Sequence, residues 1–270
     1  MSDALPKFDA PPVIETVLGV QFSRLPGFST AHAGWFWKSY LQAPERWPKV
    51  VEAARLEDET ERLGQEEVWV RPVVRLTTPG AAQRTQIIRA DDERMIQIQD
   101  SRFVLNWRKQ SHDYPSYDAL VPEFRESFAA FSRFVQDAGF GSLDLNQWEV
   151  TYLNHVPRGD MWDSPRDWPK ILPGLYAPRA VGDEVRFETL GSDWRYMLKP
   201  GFARLYIALK HVRSHMGEEV MMLQLTARGR IAPVEGATWE AGFALGHEGI
   251  VRSFAAITSA DAHARWKRRV

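Results

Sequence analysis

Apolar and polar positions alternate with period two over many short stretches and recur every three to four residues over two long ones, so strands and helices are both predicted. Residues Val13 to Phe22 (VIETVLGVQF) are apolar and β-branched and predict a central strand. It starts behind Pro11-Pro12, because proline has no N–H to give to a ladder. After a turn at Pro26-Gly27, Ser29 or Thr30 caps a helix carrying Trp35, Phe36, Trp37, Tyr40 and Leu41. Pro44 and Pro48 break regular structure, and the charged stretch 55–65 reads as a loop. Strands are expected at 67–76, 84–89, 94–99 and 102–108, with Asp91-Asp92 as a hairpin turn. Leu120, Phe124, Phe128, Phe131 and Val135 define the apolar stripe of a long helix over 116–138, ended by Gly139 and Gly141.

The order then restarts. Residues 147–156 predict a strand, and Ser164-Pro165 opens a short helix that runs to about Leu172, before Pro173-Gly174. Strands follow at 184–190, 194–198, 203–212 and 219–227, then a long helix over 238–257 and a short one over 260–268. Two local matches accompany the repeated order. Ile14-Glu15-Thr16-Val17-Leu18 corresponds to Trp148-Glu149-Val150-Thr151-Tyr152. Arg125 to Phe131 (RESFAAF) corresponds to Val251 to Ile257 (VRSFAAI). The expectation is an α+β fold of two similar halves, each ordered strand, helix, four strands, helix, with antiparallel curved sheets packed on a long helix. An N-terminal arm occupies 1–12, the first half 13–142 and the second 143–270. This element order is that of the TATA-binding-protein-like, or helix-grip, layout, an analogy of order that carries no DNA binding with it.

Alternation assigns the faces. Ile14, Leu18, Val20 and Phe22 are expected under the helices, with Ile96, Ile98, Phe103, Leu105, Trp107, Leu205, Ile207, Leu209, Leu223 and Leu225. The opposite face collects Glu15, Gln97, Gln99, Asn106, Arg108, Glu149, His155, Arg204, Tyr206 and Lys210. Such a face is either solvated, as antiparallel sheets allow, or a polar surface for a ligand or partner.

Composition narrows the function. The 270 residues are 44% hydrophobic and 26% charged, a globular balance, and a net charge of −1 gives no global attraction to nucleic acid or anionic lipid. Absence of cysteine excludes disulfides, thiolate metal sites and a cysteine nucleophile. The N-terminus has no secretory pattern and the chain no run of about 18 apolar residues, so a cytoplasmic protein is expected, without membrane association.

Motifs for catalysis are sparse. His211, His215, Glu218 and Glu219 have the composition of a metal cluster, but they fall on a strand and turn where the two histidines lie too far apart to share one ion, so no metal or cofactor is called for. Gly242, Gly246 and Gly249 share one helix face without a preceding strand, which suits close packing rather than phosphate binding. His247-Glu248 lacks the second histidine of a zinc helix. Glu15, Glu149 and His155 are the candidates for acid–base work in a hydrolase-type alternative. The basic C-terminus around Arg265-Trp266-Lys267-Arg268-Arg269 is the candidate for nucleic-acid contact.

Several of these landmarks together carry a family resemblance: Pro11 to Phe22, Gln97 with Phe103 to Trp107, Tyr114-Pro115, Glu149 to Asn154, and His247 to Thr258 ahead of His263 and Trp266. In these the chain resembles a sporadically distributed, functionally unassigned prokaryotic family. The resemblance spans nearly the whole chain apart from 55–90 and 158–200, and it implies no reaction, cofactor or catalytic residue. With no catalytic constellation, the leading expectation is a non-enzymatic binding protein. It would recognise a protein or small ligand through the polar faces (Glu15, Gln97, Asn106, Arg108, Glu149, His155, Arg204, Tyr206, Lys210) or through the groove between the halves.

Overall fold

The structure is a computed structural model that describes residues 4–41, 45–58, 60–63, 83–176, 182–185, 187–214, 216–231 and 238–269. The elements up to the first long helix are β1 (Val13–Phe22), α1 (Thr30–Tyr40), β2 (Lys49–Ala54), β3 (Gln83–Ile88), β4 (Arg94–Gln99), β5 (Arg102–Arg108) and α2 (Tyr117–Asp137). They continue as β6 (Leu145–Pro157), a 3-10 turn at Pro165–Lys170, β7 (Ser192–Leu198), α3 (Lys199–Phe202), β8 (Ala203–Arg213), β9 (Glu219–Arg230), α4 (Trp239–Ile257) and α5 (Ala260–Arg265). The strands form one antiparallel sheet in the order β2-β3-β4-β5-β1-β6-β9-β8-β7. The mixed α+β class with a large antiparallel sheet is thus as the sequence predicts, but the sheet is continuous, because β1 pairs with β6 along nearly its whole length.

Several expectations need correction. β2 was not anticipated: its sequence KVVEAA lacks alternation and both valines are exposed at the sheet edge, so only its pairing with β3 makes it a strand. Residues 184–185 and 187–190 are not in a strand. The helix at Ser164-Pro165 is a 3-10 turn, with Asp167 accepting from the Ser164 N–H at 3.0 Å and a second proline, Pro169, inside it. The expected strand at 67–76 lies outside the described residues.

One side of the sheet carries the helices. Leu18, Val20 and Phe22 of β1 and Phe103, Leu105 and Trp107 of β5 are buried there, and Phe103 meets Phe124, Phe128 and Phe131 of α2 at ring distances of 5.7, 5.5 and 5.2 Å. Ile14 is the exception to the predicted face. The β1–β6 register jumps between Val13 and Glu15, so Val13 enters the core instead and Ile14 is only half-buried.

The second helix comes close to the sheet because of its glycines. Trp148 of β6 projects toward α4, and a Cβ on Gly242 would lie 2.3 Å from its ring, on Gly246 2.7 Å, and on Gly229 of β9 2.5 Å. The indole therefore occupies a slot left by three absent methyl groups, and Gly249 makes similar room for Leu198. This is the close packing expected from the glycine spacing.

Gly242→Ala should lower unfolding stability by about 1–3 kcal/mol through overpacking. Urea denaturation measures this, and the loss should shrink in a Trp148→Leu background, where the slot has room for the methyl group.

Candidate functional site

The polar face of the sheet is cross-linked internally. Gln86 donates to Gln97 Oε1 at 3.1 Å, Gln97 to Asn106 Oδ1 at 2.7 Å, and Asn106 to Glu15 Oε1 at 2.6 Å, one row of hydrogen bonds across β3, β4, β5 and β1. Arg108, opposite Glu15 in the ladder, gives a guanidinium N–H to the Asp92 carbonyl at 3.1 Å. Burial raises the pKa of Glu15, opposed by the bond from Asn106 and the charges of Arg108 and Arg84. In the other half of the sheet Glu149 accepts from Arg228 Nε at 2.6 Å, and Thr151 bonds Thr226 at 2.8 Å.

Residues 55–58 and 60–63 lie over this face. Leu56 exchanges two 3.0 Å hydrogen bonds with the Gln99 amide, and the Glu61 N–H donates to Gln147 Oε1 at 2.8 Å. Glu61 takes an Arg204 N–H at 2.9 Å and the Tyr206 hydroxyl at 2.5 Å, and the Arg204 and Glu61 side chains are only 9% and 4% exposed. The sequence reading treated this surface as open. The structure instead buries Gln97, Asn106 and Arg204, leaves Glu15, Arg108, Glu149, His155 and Tyr206 half-buried, and exposes Lys210.

The acid–base candidates are kept apart. Glu15 pairs with Leu153, four residues from Glu149, which at ~3.3 Å per residue separates the carboxylates by about 13 Å along the strands. His155 is half-buried near the strand end, its pKa lowered by burial. His211 lies 3.8 Å from Glu219, and His215 is outside the described residues. At the C-terminus Trp266 is buried, Arg265 bonds Asp160 at 2.8 Å and Arg269 pairs with Asp9, so these basic side chains are engaged within the chain.

The large concavity is on the helix side. A cleft of about 940 Å³ opens between the start of α2, the middle of α4, and the adjoining ends of β1 and β6, with residues 4–11 as one wall. That arm is fastened to the C-terminus: Asp9 and Ala10 donate to the carbonyls of Lys267 and Trp266 at 3.1 Å, and Arg269 donates to Lys7 O at 2.8 Å. Phe8 packs edge-on against Phe254 at 5.5 Å.

Within the cleft, Tyr114 OH lies 2.9 Å from Tyr152 OH, which lies 2.7 Å from His247 Nδ1. Tyr117 stacks on His247 with centroids 4.1 Å apart and planes 3° from parallel. Burial pushes Tyr114 up to about 12 and raises Tyr117 and Tyr152 well above the usual phenol range, so all three phenols stay protonated. Burial brings His247 down to about 4, against weaker opposing effects of Asp118 and Glu248, so its imidazole is neutral at physiological pH. Asn154 is also buried at the cleft, its amide donating to Leu223 O at 3.0 Å.

The sequence reading did not single out this cluster as a site, although Tyr114, Tyr152, Asn154 and His247 were among the residues carrying the family resemblance. A signal was present. Tyr152 and Asn154 alternate with Trp148, Val150 and Val156 on the core-facing side of β6, and His247 shares a helix face with Phe243 and Ile250. Polar groups on an apolar face need partners, and here they find one another.

No protein-family model matches the chain, and no curated protein matches it. Among solved structures it is similar to DynU16, a protein of the dynemicin biosynthetic locus, with 11% identity, 90% of this chain and 96% of that chain covered, and a TM-score of 0.22. It is also similar to the di-domain ARO/CYC StfQ from the steffimycin biosynthetic pathway, with 10% identity, coverages of 90% and 98%, and a TM-score of 0.16. Likeness at these scores carries no argument. Fold and site define an α+β protein with a large antiparallel sheet, two long helices on one side, and an aromatic, polar-floored cleft between them. No helix among the described residues is long and apolar enough to cross a membrane.

Two outcomes are expected. Glu61→Leu leaves the buried Arg204 without its carboxylate and should cost about 3–5 kcal/mol, mostly recovered in Glu61→Leu/Arg204→Met, by urea denaturation. Between pH 6.5 and about 4 the unfolded chain protonates at His247 while the native chain does not, so stability falls as pH falls through this window. His155 and His263 are lowered too and contribute in the same direction. The slope due to His247 is therefore the difference between wild type and His247→Gln, whose stability should decline less steeply on acidification.

Proposed function

We propose that this chain is a non-enzymatic binding protein that takes a small ligand in the cleft between its two long helices. The observation that carries the reading is the cleft itself, about 940 Å³ with buried hydrogen-bonding groups on its floor. That is the size and character of small-molecule sites in general, mostly apolar walls with a few fixed polar groups. The polar sheet face supports binding less well, since most of its side chains are already engaged with one another or with residues 55–58 and 60–63. The separation of Glu15 and Glu149 lends no support to a paired-carboxylate hydrolase.

In this reading the cleft is the groove between two similar halves, 13–142 and 143–270. Supporting it, β1 and β6 sit side by side at the centre of the sheet, and each pairs outward with the last strand before a long helix, β5 or β9. Glu15 and Glu149, matched in the local repeat, each face an arginine on that strand, Arg108 and Arg228. Phe128 and Phe254, matched in the helices, are both core residues at 7% exposure. The helix-grip analogy fits a ligand held between sheet and helices. A cytoplasmic location accords with the absence of cysteine. The resemblance to the prokaryotic family accords with its residues Tyr114, Tyr152, Asn154 and His247 lying at one cleft.

The test is a thermal-shift screen of small uncharged molecules against wild type and Ala244→Trp, which places an indole in the cleft from an exposed helix position. Compounds that raise Tm in wild type and not in Ala244→Trp are expected. An absence of shifts, or shifts equal in both proteins, overturns the reading.

A further inference from the structure

The hydrogen-bond chain on the cleft floor has a direction. Two hydrogen bonds link Tyr114, Tyr152 and His247 Nδ1, so two hydrogens lie between them. If Tyr114 donates to Tyr152 and Tyr152 donates to Nδ1, both phenolic hydrogens are used and the imidazole hydrogen sits on Nε2. If the chain runs the other way, from Nδ1 outward, the Tyr114 hydrogen can go only to the fully buried Thr16 hydroxyl beside it, whose own hydrogen then has no acceptor among the described residues, whereas in the first direction Thr16 donates to Tyr114. An orphaned buried donor costs roughly 1–3 kcal/mol, so the first direction prevails. His247 Nε2 then carries an N–H with no acceptor among the described residues, on a side chain that lines the cleft.

The remaining charges of the cleft give no strong preference for an ion. Asp9 pairs with Arg269, Glu248 with Arg252 at 2.8 Å, and Lys109 with Asp113 at 3.5 Å. Asp118, at the same end of α2, disfavours a nearby anion, and Lys7 on the opposite wall a cation. Between these rim charges lie apolar side chains such as Leu5, Phe8, Val13, Ile250 and Val251. An uncharged molecule loses least solvation on entering, and the parallel Tyr117–His247 pair offers it a flat aromatic edge to lie against.

We infer that the cleft selects an uncharged, largely apolar carbonyl compound, whose oxygen accepts the hydrogen bond from His247 Nε2. The inference rests on reading the cleft as the binding site and specifies what that site recognises. Tyr152 is a positioning residue: by holding Nδ1 as an acceptor it keeps the donor on Nε2.

Three probes of one shape test it: 2-acetylnaphthalene, 2-ethylnaphthalene, which lacks the oxygen, and 2-naphthoate, which is charged. Titration at pH 7 by fluorescence should give the ketone at least tenfold tighter binding than either of the others. In His247→Phe, which keeps a ring against Tyr117, the ketone and the hydrocarbon should bind alike. Tyr152→Phe keeps the imidazole and frees its tautomer, so the ketone preference should drop severalfold without vanishing, which a merely structural role for the hydroxyl would not produce. Equal binding of ketone and hydrocarbon to wild type, both lost in Ala244→Trp, overturns the inference and leaves the cleft as a binding site. Tighter binding of the naphthoate, or binding of none of the three, overturns it as well, and the screen against Ala244→Trp then judges the cleft by itself.

Discussion

β1 and β6 lie side by side, hydrogen-bonded from Val13 to Phe22 on one and from Asn154 back to Leu145 on the other. Everything else takes its position from that seam. It joins the strands that lead out to β2 and those that lead out to β7 into one sheet, and it brings α2 and α4 onto the same side. A seam of two neighbouring antiparallel strands has two consequences for polar groups. On the helix side, the fully buried Thr16 of β1 stands opposite Tyr152 of β6. On the other side, Glu15 and Glu149 are displaced along the seam, each beside an arginine of an outer strand.

The two faces solve the same problem differently. Buried polar atoms call for partners, and on the polar face many find them laterally, in the row from Gln86 through Gln97 and Asn106 to Glu15 and in the bonds to Leu56 and Glu61. Most of its amides and carboxylates are engaged in this way, while Nε of Arg84, Arg102 and Arg108 is buried without a hydrogen-bond partner among the described residues. On the helix side the chain of three groups, in the direction inferred for it, ends at an imidazole nitrogen whose hydrogen has no acceptor among the described residues.

Close packing and open space are set by the same helix. α4 approaches the sheet at Gly242 and Gly246, where Trp148 fills the slot, and at the very next residue it carries His247, which lines the cleft. Glycine permits the near approach, and the larger side chains of the arm and of α2 hold the remaining walls apart. Because the arm is tied to residues 266–269, the two ends of the described chain together shape one wall of the cavity.

Period-two alternation was enough to locate β1, β4 and β5 with their bounds, and the glycine spacing of α4 announced close contact, because each depends on interactions local to the element or on which side chains are apolar. Alternation also separated the greasy face from the polar one, apart from Ile14, where a bulge whose cause lies in the partner strand reversed the side. β2 and the irregular run 187–190 were misjudged because an edge strand is made by its neighbour's hydrogen bonds rather than by its own residues. Only the tertiary structure decided that the polar face is cross-linked within itself and that Tyr114, Tyr117, Tyr152 and His247 meet. Those residues come from a loop, two helices and a strand, and lie as far apart in sequence as Tyr114 and His247, so no pattern within one element encodes the distance between them.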